Sequence, residues 1–162
     1  MNKPIHIITT GGTIDKVYFD GKSTYEVGKP QVKALLHDAG ITVPISFTAL
    51  MRKDSLEMTR EDRLLIRETV ITVPETLVVV THGTDTMVET AKSLKGIQGK
   101  VVVFTGSIQP ALFRGTDALF NIGAAITAVQ ILPFGVFIAM NGRVFDPDKV
   151  LKNIEKNRFE DL

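Results

Sequence analysis

Three short segments of this chain combine hydroxyl side chains with glycine: Thr9-Thr10-Gly11-Gly12-Thr13, Thr81-His82-Gly83-Thr84-Asp85 and Thr105-Gly106-Ser107. Glycine lets backbone amides come close to a bound group, and the neighbouring hydroxyls supply reactive or hydrogen-bonding oxygens. Cysteine is absent and no Ser–His pair stands out, so the nucleophile on offer is a threonine. A threonine hydroxyl needs a base or a proton relay, because its own proton is held too tightly at neutral pH. Asp85 beside Thr84 is a local candidate; a lysine whose burial favours the neutral amine is another. Turn chemistry alone can demand glycine, but three such segments, each closing an apolar run, weaken that explanation.

Other chemistries lack their signatures. No Gly-x-x-x-x-Gly-Lys-Ser/Thr or Gly-x-Gly-x-x-Gly run supports nucleotide binding, and no Gly-x-Ser-x-Gly elbow is present. His6, His37 and His82 are the only histidines, and no two lie at metal-ligand spacing.

The apolar runs that end at these segments read as strands. Ile5–Thr9 is β-branched and stops at Gly11-Gly12; Leu77–Thr81 and Val101–Thr105 are continuously apolar, as strands covered on both faces should be. Val43–Thr48 and Gly135–Met140 are further strands, and Asn141-Gly142 predicts a tight hairpin. Helical spacing predicts helices over Pro30–Ala39, from Thr59 to about Ile71, from about Thr86 to Leu94, and over Asp117–Ile131. Thr59 with Asp62 has the spacing of a capping box. The segment from Tyr18 to Lys29 reads as a loop, and Pro147–Leu162 as charged and helical in part. Strands alternating with helices predict a doubly wound α/β domain spanning residues 1–162: a mostly parallel, Rossmann-like or flavodoxin-like sheet flanked by helices. In such sheets ligands bind beyond the C-terminal strand ends.

With 162 residues, 44% hydrophobic and 23% charged, the chain has the composition of a globular domain rather than a disordered one. Nineteen basic residues against eighteen acidic ones give a formal charge of +1, so no electrostatic footprint for nucleic acid or a membrane surface is expected. No signal-peptide pattern or membrane-length apolar run is seen, and a cytoplasmic protein is the expectation.

At the three segments the sequence resembles the L-asparaginase/glutaminase family. The matching stretches are Thr10-Gly11-Gly12-Thr13-Ile14 and Thr81-His82-Gly83-Thr84-Asp85-Thr86-Met87, then Glu89-Thr90-Ala91. Tyr25-x-Val27-Gly28, Gly106-Ser107, Asp117 with Asn121, and Met140-Asn141 leading to Lys152 extend the likeness from about Ile5 to about Lys152. The resemblance implies amide hydrolysis of L-asparagine, with L-glutamine as a second substrate, giving aspartate and ammonia without metal or cofactor. It implies that Thr13 attacks the side-chain carboxamide while Tyr25 relays its proton. Lys152 would act as base through Thr84, with Lys149 as the rival lysine, and Asp85 would orient the lysine and bind the α-amino group. Backbone amides of Thr13 and Thr84 would stabilise the oxyanion. Ser55 would hold the α-carboxylate, and Gly12, Gly83 and Ser107 would complete the binding loops. His82 belongs to the motif as a structural residue.

Members of that family are about twice this length and carry a second, smaller domain that completes a neighbouring subunit's site. Leu56 also replaces a polar family position, and Lys16 and Val17 follow the Gly-Gly-Thr loop. A site half left open to water would weaken its electrostatics, so a homo-oligomer, dimer or tetramer, is expected. Two other readings stay open: a non-catalytic module that binds an amino acid or amide, and an amidase subunit that needs a partner chain.

Overall fold

The computed structural model describes residues 2–162. The chain opens with β1 (Ile5–Gly11), whose run of Ile and Thr is buried along its whole length. A 3-10 turn over Thr13–Asp15 leads into β2 (Lys16–Phe19), which pairs antiparallel with β3 (Thr24–Val27). The segment expected to be a loop, Tyr18 to Lys29, is therefore largely part of a two-stranded hairpin. Its Val, Tyr, Phe and Thr residues favour extended backbone even without a clear alternation, and the turn is made at Asp20–Ser23, where Ser23 takes φ 51°.

Helix α1 (Val32–Asp38) is followed by β4 (Ile45–Lys53), a 3-10 turn at Ser55–Glu57, and α2 (Arg60–Thr72). The predicted capping box is formed: Thr59 Oγ1 accepts from Asp62 N, and an Asp62 oxygen accepts from Thr59 N at 2.8 Å. Then come β5 (Leu77–Thr81), α3 (Met87–Ser93), β6 (Val101–Thr105), α4 (Ala118–Ile131) and β7 (Gly135–Met140). A tight turn with Asn141 at φ 54° and Gly142 at φ 73° reverses the chain into β8 (Arg143–Phe145), as its Asn-Gly pair predicts.

The tail departs from expectation. Apart from a 3-10 turn at Pro147–Lys149 it is not helical: β9 (Val150–Asn153) and β10 (Arg158–Asp161) form an antiparallel hairpin. Each strand buries one apolar residue, Val150 or Phe159, too sparse a pattern to stand out among the segment's many charges.

The main sheet runs β4-β1-β5-β6-β7-β8, parallel except for β8. Strand order reverses between β1 and β5, which is the topological switch point of a doubly wound fold. One face packs on α1 and α4 through Val32, Leu36, Ala118, Ile122 and Val129; the other packs on α2 and α3 through Ile66, Val70, Met87 and Leu94. Edge strand β4 is pinned by a polar cluster. His6 on β1 lies 2.8 Å from Thr48 Oγ1 and 2.7 Å from Ser46 Oγ, and Ser46 donates to Glu75 at 2.6 Å. Among the described residues, no helix is long and apolar enough to cross a membrane.

Candidate active site

The switch point brings the glycine-rich segments together by backbone contact. Gly12 stands at φ 87°, and a Cβ there would run into the amide nitrogen of Gly83. Gly83 is in turn pressed against Ser55, whose Cβ would lie 2.6 Å from an added methyl. Gly106 backs in the same way onto the His82 carbonyl. Thr10 Oγ1 donates to Thr81 O at 2.7 Å, and Gly12 N donates to Lys53 O at 2.9 Å. The ends of β1, β4, β5 and β6 thus form one continuous rim. Thr13 and Thr84 each follow a glycine of the central contact, about 3.8 Å of chain from it.

Thr84 is buried, and Lys152 reaches it from β9: Nζ lies 2.8 Å from Thr84 Oγ1 and 2.7 Å from Asp85 Oδ1. The lysine side chain is only 13% exposed, whereas Asp85 is 43% exposed and opens to solvent. It is Lys152, rather than the exposed Lys149 three residues earlier, that makes these contacts. The tail reaches this position because the β8 turn and the β9–β10 hairpin bring the chain back over α3.

Ser55 is buried at the start of its 3-10 turn, where its Oγ accepts from Thr86 N at 3.3 Å and its carbonyl accepts from Thr86 Oγ1 at 2.8 Å. Asp54 caps that turn by accepting from Leu56 N at 3.0 Å. Burial alone would raise the Asp54 carboxyl; the Leu56 amide and the cations Lys16 and Lys152 outweigh it and hold the group below the usual range. Lys16 lies 3.1 Å from Asp54 and so joins the residue after the Thr13 turn to the Ser55 turn. Sequence reasoning misses the Asp54–Lys16 link, although an Asp two residues before an unpaired amide is a recognisable turn signal.

Ser107 is buried and donates its hydroxyl to Gln109 O at 2.5 Å, so that group braces its own loop. Asp117 accepts from Ile108 N and Gln109 N at 2.9 Å, and Asn121 donates to both Gly106 O and Asp117. The Asp117–Asn121 pair thereby holds the loop after β6.

Tyr25 is placed differently. It sits on β3, half exposed, with its ring 5.3 Å from Tyr18 and 5.6 Å from Phe113. Among the described residues no hydrogen bond joins it to Thr13, which is itself partly exposed at the head of its 3-10 turn.

Two buried ionisable groups flank the rim. His82 lies between Gly83 O (2.7 Å from Nδ1) and Met58 Sδ (3.0 Å from Nε2), and burial pushes it down to about 4, so it is neutral at pH 7. Both of its ring nitrogens thus face partners inside the fold. Asp15, in the Thr13 turn, accepts from Gln31 N at 2.9 Å, while its Oδ2 is buried without a partner. Burial pushes Asp15 up to about 6, against the opposing pull of the Gln31 amide and Arg52. Nothing in the local sequence signals a buried carboxyl there. Among the described residues, no group of three or more His, Asp or Glu side chains is arranged to hold a metal ion.

The family model for the asparaginase N-terminal region matches residues 4–159. The chain belongs to the asparaginase family. It is 29% identical to a glutaminase-asparaginase of Acinetobacter glutaminasificans over 91% of its own length and 49% of that protein's. It is 32% identical to a Glutamyl-tRNA(Gln) amidotransferase subunit of Saccharolobus islandicus over 81% of its length and 31% of that protein's. The thermostable L-asparaginase from Thermococcus kodakarensis superposes with a TM-score of 0.83 at 25% identity, covering 98% of this chain and 51% of that one. This asparaginase-family chain thus spans about half, or less, of the relatives it matches.

Proposed function

We propose that this chain hydrolyses a side-chain amide, with L-asparagine as substrate and L-glutamine as the second to be tested. The observation that carries this reading is the contact of Lys152 Nζ with both Thr84 Oγ1 and Asp85 Oδ1, on a loop whose backbone abuts the Thr13 loop. In the proposed reaction the Thr13 hydroxyl attacks the carboxamide carbon, the C–N bond breaks, and ammonia leaves. Water then releases the acyl group as the carboxylate of aspartate. Tyr25 relays the Thr13 proton, and Lys152 acts as base through Thr84. The backbone amides of Thr13 and Thr84 face the developing oxyanion, usually the largest contribution in such chemistry. Asp85 keeps the lysine oriented and receives the substrate's α-amino group, and Ser55 receives its α-carboxylate.

A second reading is favoured by the open flank of the site. A cleft of about 580 Å³ beside Asp85 and Lys152 is lined by Leu56, Val88, Ile154 and Leu162. A site so exposed to water stabilises charge poorly. On this reading another copy of the chain, or a separate partner, covers the cleft before turnover is efficient.

Ammonia release from asparagine and glutamine, measured with sedimentation in parallel, tests both. Turnover by an oligomer, lost in Thr13→Ala and in Thr84→Ala, is the expected result. Turnover that survives both substitutions would remove the proposed nucleophile, and full activity in a strict monomer would remove the requirement for a covering chain.

A further inference from the structure

The β2–β3 hairpin forms its own two-stranded sheet, separate from the main one. Two strands alone are marginally stable in water, so what anchors this hairpin decides where Tyr25 stands. Its root is fixed: Gly28 N donates to Asp15 O at 2.8 Å, and Lys16 pairs with Asp54 at 3.1 Å. Farther out, the Tyr25 ring meets Phe113 edge-on, at 5.6 Å and 68°. Phe113 stands on a braced turn. Its amide donates to Pro110 O at 3.0 Å, Thr116 Oγ1 donates to Gln109 O at 3.0 Å, and the Asp117 carboxylate closes the base. That turn is also joined to the nucleophile's own turn, because Ala111 N donates to Ile14 O at 3.0 Å. Thr13, the Phe113 turn and Tyr25 are therefore linked in a closed mechanical loop.

We propose that Phe113 is a positioning residue that holds Tyr25, and with it the β2–β3 hairpin, against the turn that is bonded to the Thr13 turn. The role rests on the reading of Tyr25 as the proton relay for Thr13. It also gives a reason for a phenylalanine that is 39% exposed. Its neighbour Leu112, 63% exposed on the same turn, is apolar but carries no ring and is the natural control.

The chain has two tyrosines and no tryptophan. In a Tyr18→Phe background, tyrosine emission therefore reports Tyr25 alone while the Tyr18 ring contact is kept. Adding Phe113→Ala should lower the anisotropy of that emission, adding Leu112→Ala should not, and Phe113→Trp, read by fluorine NMR on fluorotyrosine, should keep Tyr25 ordered. Unchanged anisotropy on loss of the Phe113 ring would overturn the proposal. In the otherwise native chain, Phe113→Ala should lower kcat/KM for asparagine by roughly threefold to tenfold, the range an edge-to-face contact supplies. Phe113→Tyr should restore it, and Phe113→Ala should add no further loss in a Tyr25→Phe background. Additive losses would overturn the proposal. If Tyr25→Phe alone leaves turnover intact, the relay role of Tyr25 falls, and the anisotropy still decides whether Phe113 holds the ring.

Discussion

Gly12 and Gly83 meet backbone to backbone at the point where strand order reverses, and no side chain fits between them. Gly12 also needs a positive φ of 87°, a conformation that L side chains rarely adopt. Gly12→Ala therefore combines backbone strain with a steric clash. We expect it to lower stability by about 2–6 kcal/mol, from strain of about 1–3 kcal/mol and overpacking of similar size, and to abolish turnover. Gly83→Ala should behave similarly, because its methyl would lie 2.7 Å from Ser55 Oγ. Urea midpoints and the ammonia assay check both; a Gly12→Ala chain of native stability and activity would show that the two loops separate easily.

The Lys152 contacts make a different prediction. The ion pair with Asp85 is partly open to water, so its contribution to stability should be small, about 0–1 kcal/mol. Lys152→Met should therefore fold normally while losing about a hundredfold or more in kcat, the usual scale for removing a positioned base. Lys149→Met should change little. Measured side by side by thermal denaturation and steady-state kinetics, the pair separates a base from a surface lysine.

Much of this arrangement is legible in the sequence because it is local. The runs Leu77–Thr81, Val101–Thr105 and Gly135–Met140 are strands over the spans their apolar character predicts, and Thr59 with Asp62 caps α2 as spaced. The Gly-Gly-Thr and Gly-Thr-Asp segments stand at strand ends for the same reason. What is not legible depends on long-range contacts. The β2–β3 and β9–β10 hairpins alternate too weakly to outweigh their charges, so local patterning gives a loop and a partial helix in their place. Asp15 is buried only because β1, the hairpin root and Gln31 converge on it. Tyr25 stands out by motif, yet its surroundings, Tyr18 and Phe113, come from a register and a turn that no short motif encodes.

Asp117 tests how the third segment is held. Its carboxylate accepts from the amides of Ile108 and Gln109, and it also accepts from Asn121, which reaches on to Gly106 O. Asp117→Ala leaves these donors without their acceptor, at about 1–3 kcal/mol for each buried donor left unmet. We expect a total loss of about 2–4 kcal/mol, since water can reach part of the loop. Asp117→Asn keeps one acceptor and should lose less. Hydrogen exchange at the Ile108 and Gln109 amides should quicken in both variants, and unchanged protection would assign the loop's rigidity elsewhere.

Asp15 and His82 pull stability in opposite directions over the same pH range. Asp15 is held near 6 in the fold against an ordinary value of 3.8. Between those values the folded chain keeps a proton that the unfolded chain releases, so this contribution is present below about pH 4 and is lost as pH rises through 6. His82 is held near 4 against an ordinary 6.5, so its contribution is present above pH 6.5 and is lost as pH falls through 4. Each gap corresponds to about 3 kcal/mol at about 1.36 kcal/mol per pH unit. The two therefore offset each other between pH 4 and 6. Asp15→Asn should remove the first alone, so the variant's stability relative to the parent rises across that window and stays higher by about 1–3 kcal/mol at pH 7. His82→Gln should show the reverse trend, its stability relative to the parent falling as pH rises from 4 to 6.5. Urea unfolding of the three proteins at matched pH values reads these differences directly, because every other titrating group cancels between them. A pH-independent difference for Asp15→Asn would mean that the buried carboxyl does not titrate in this range.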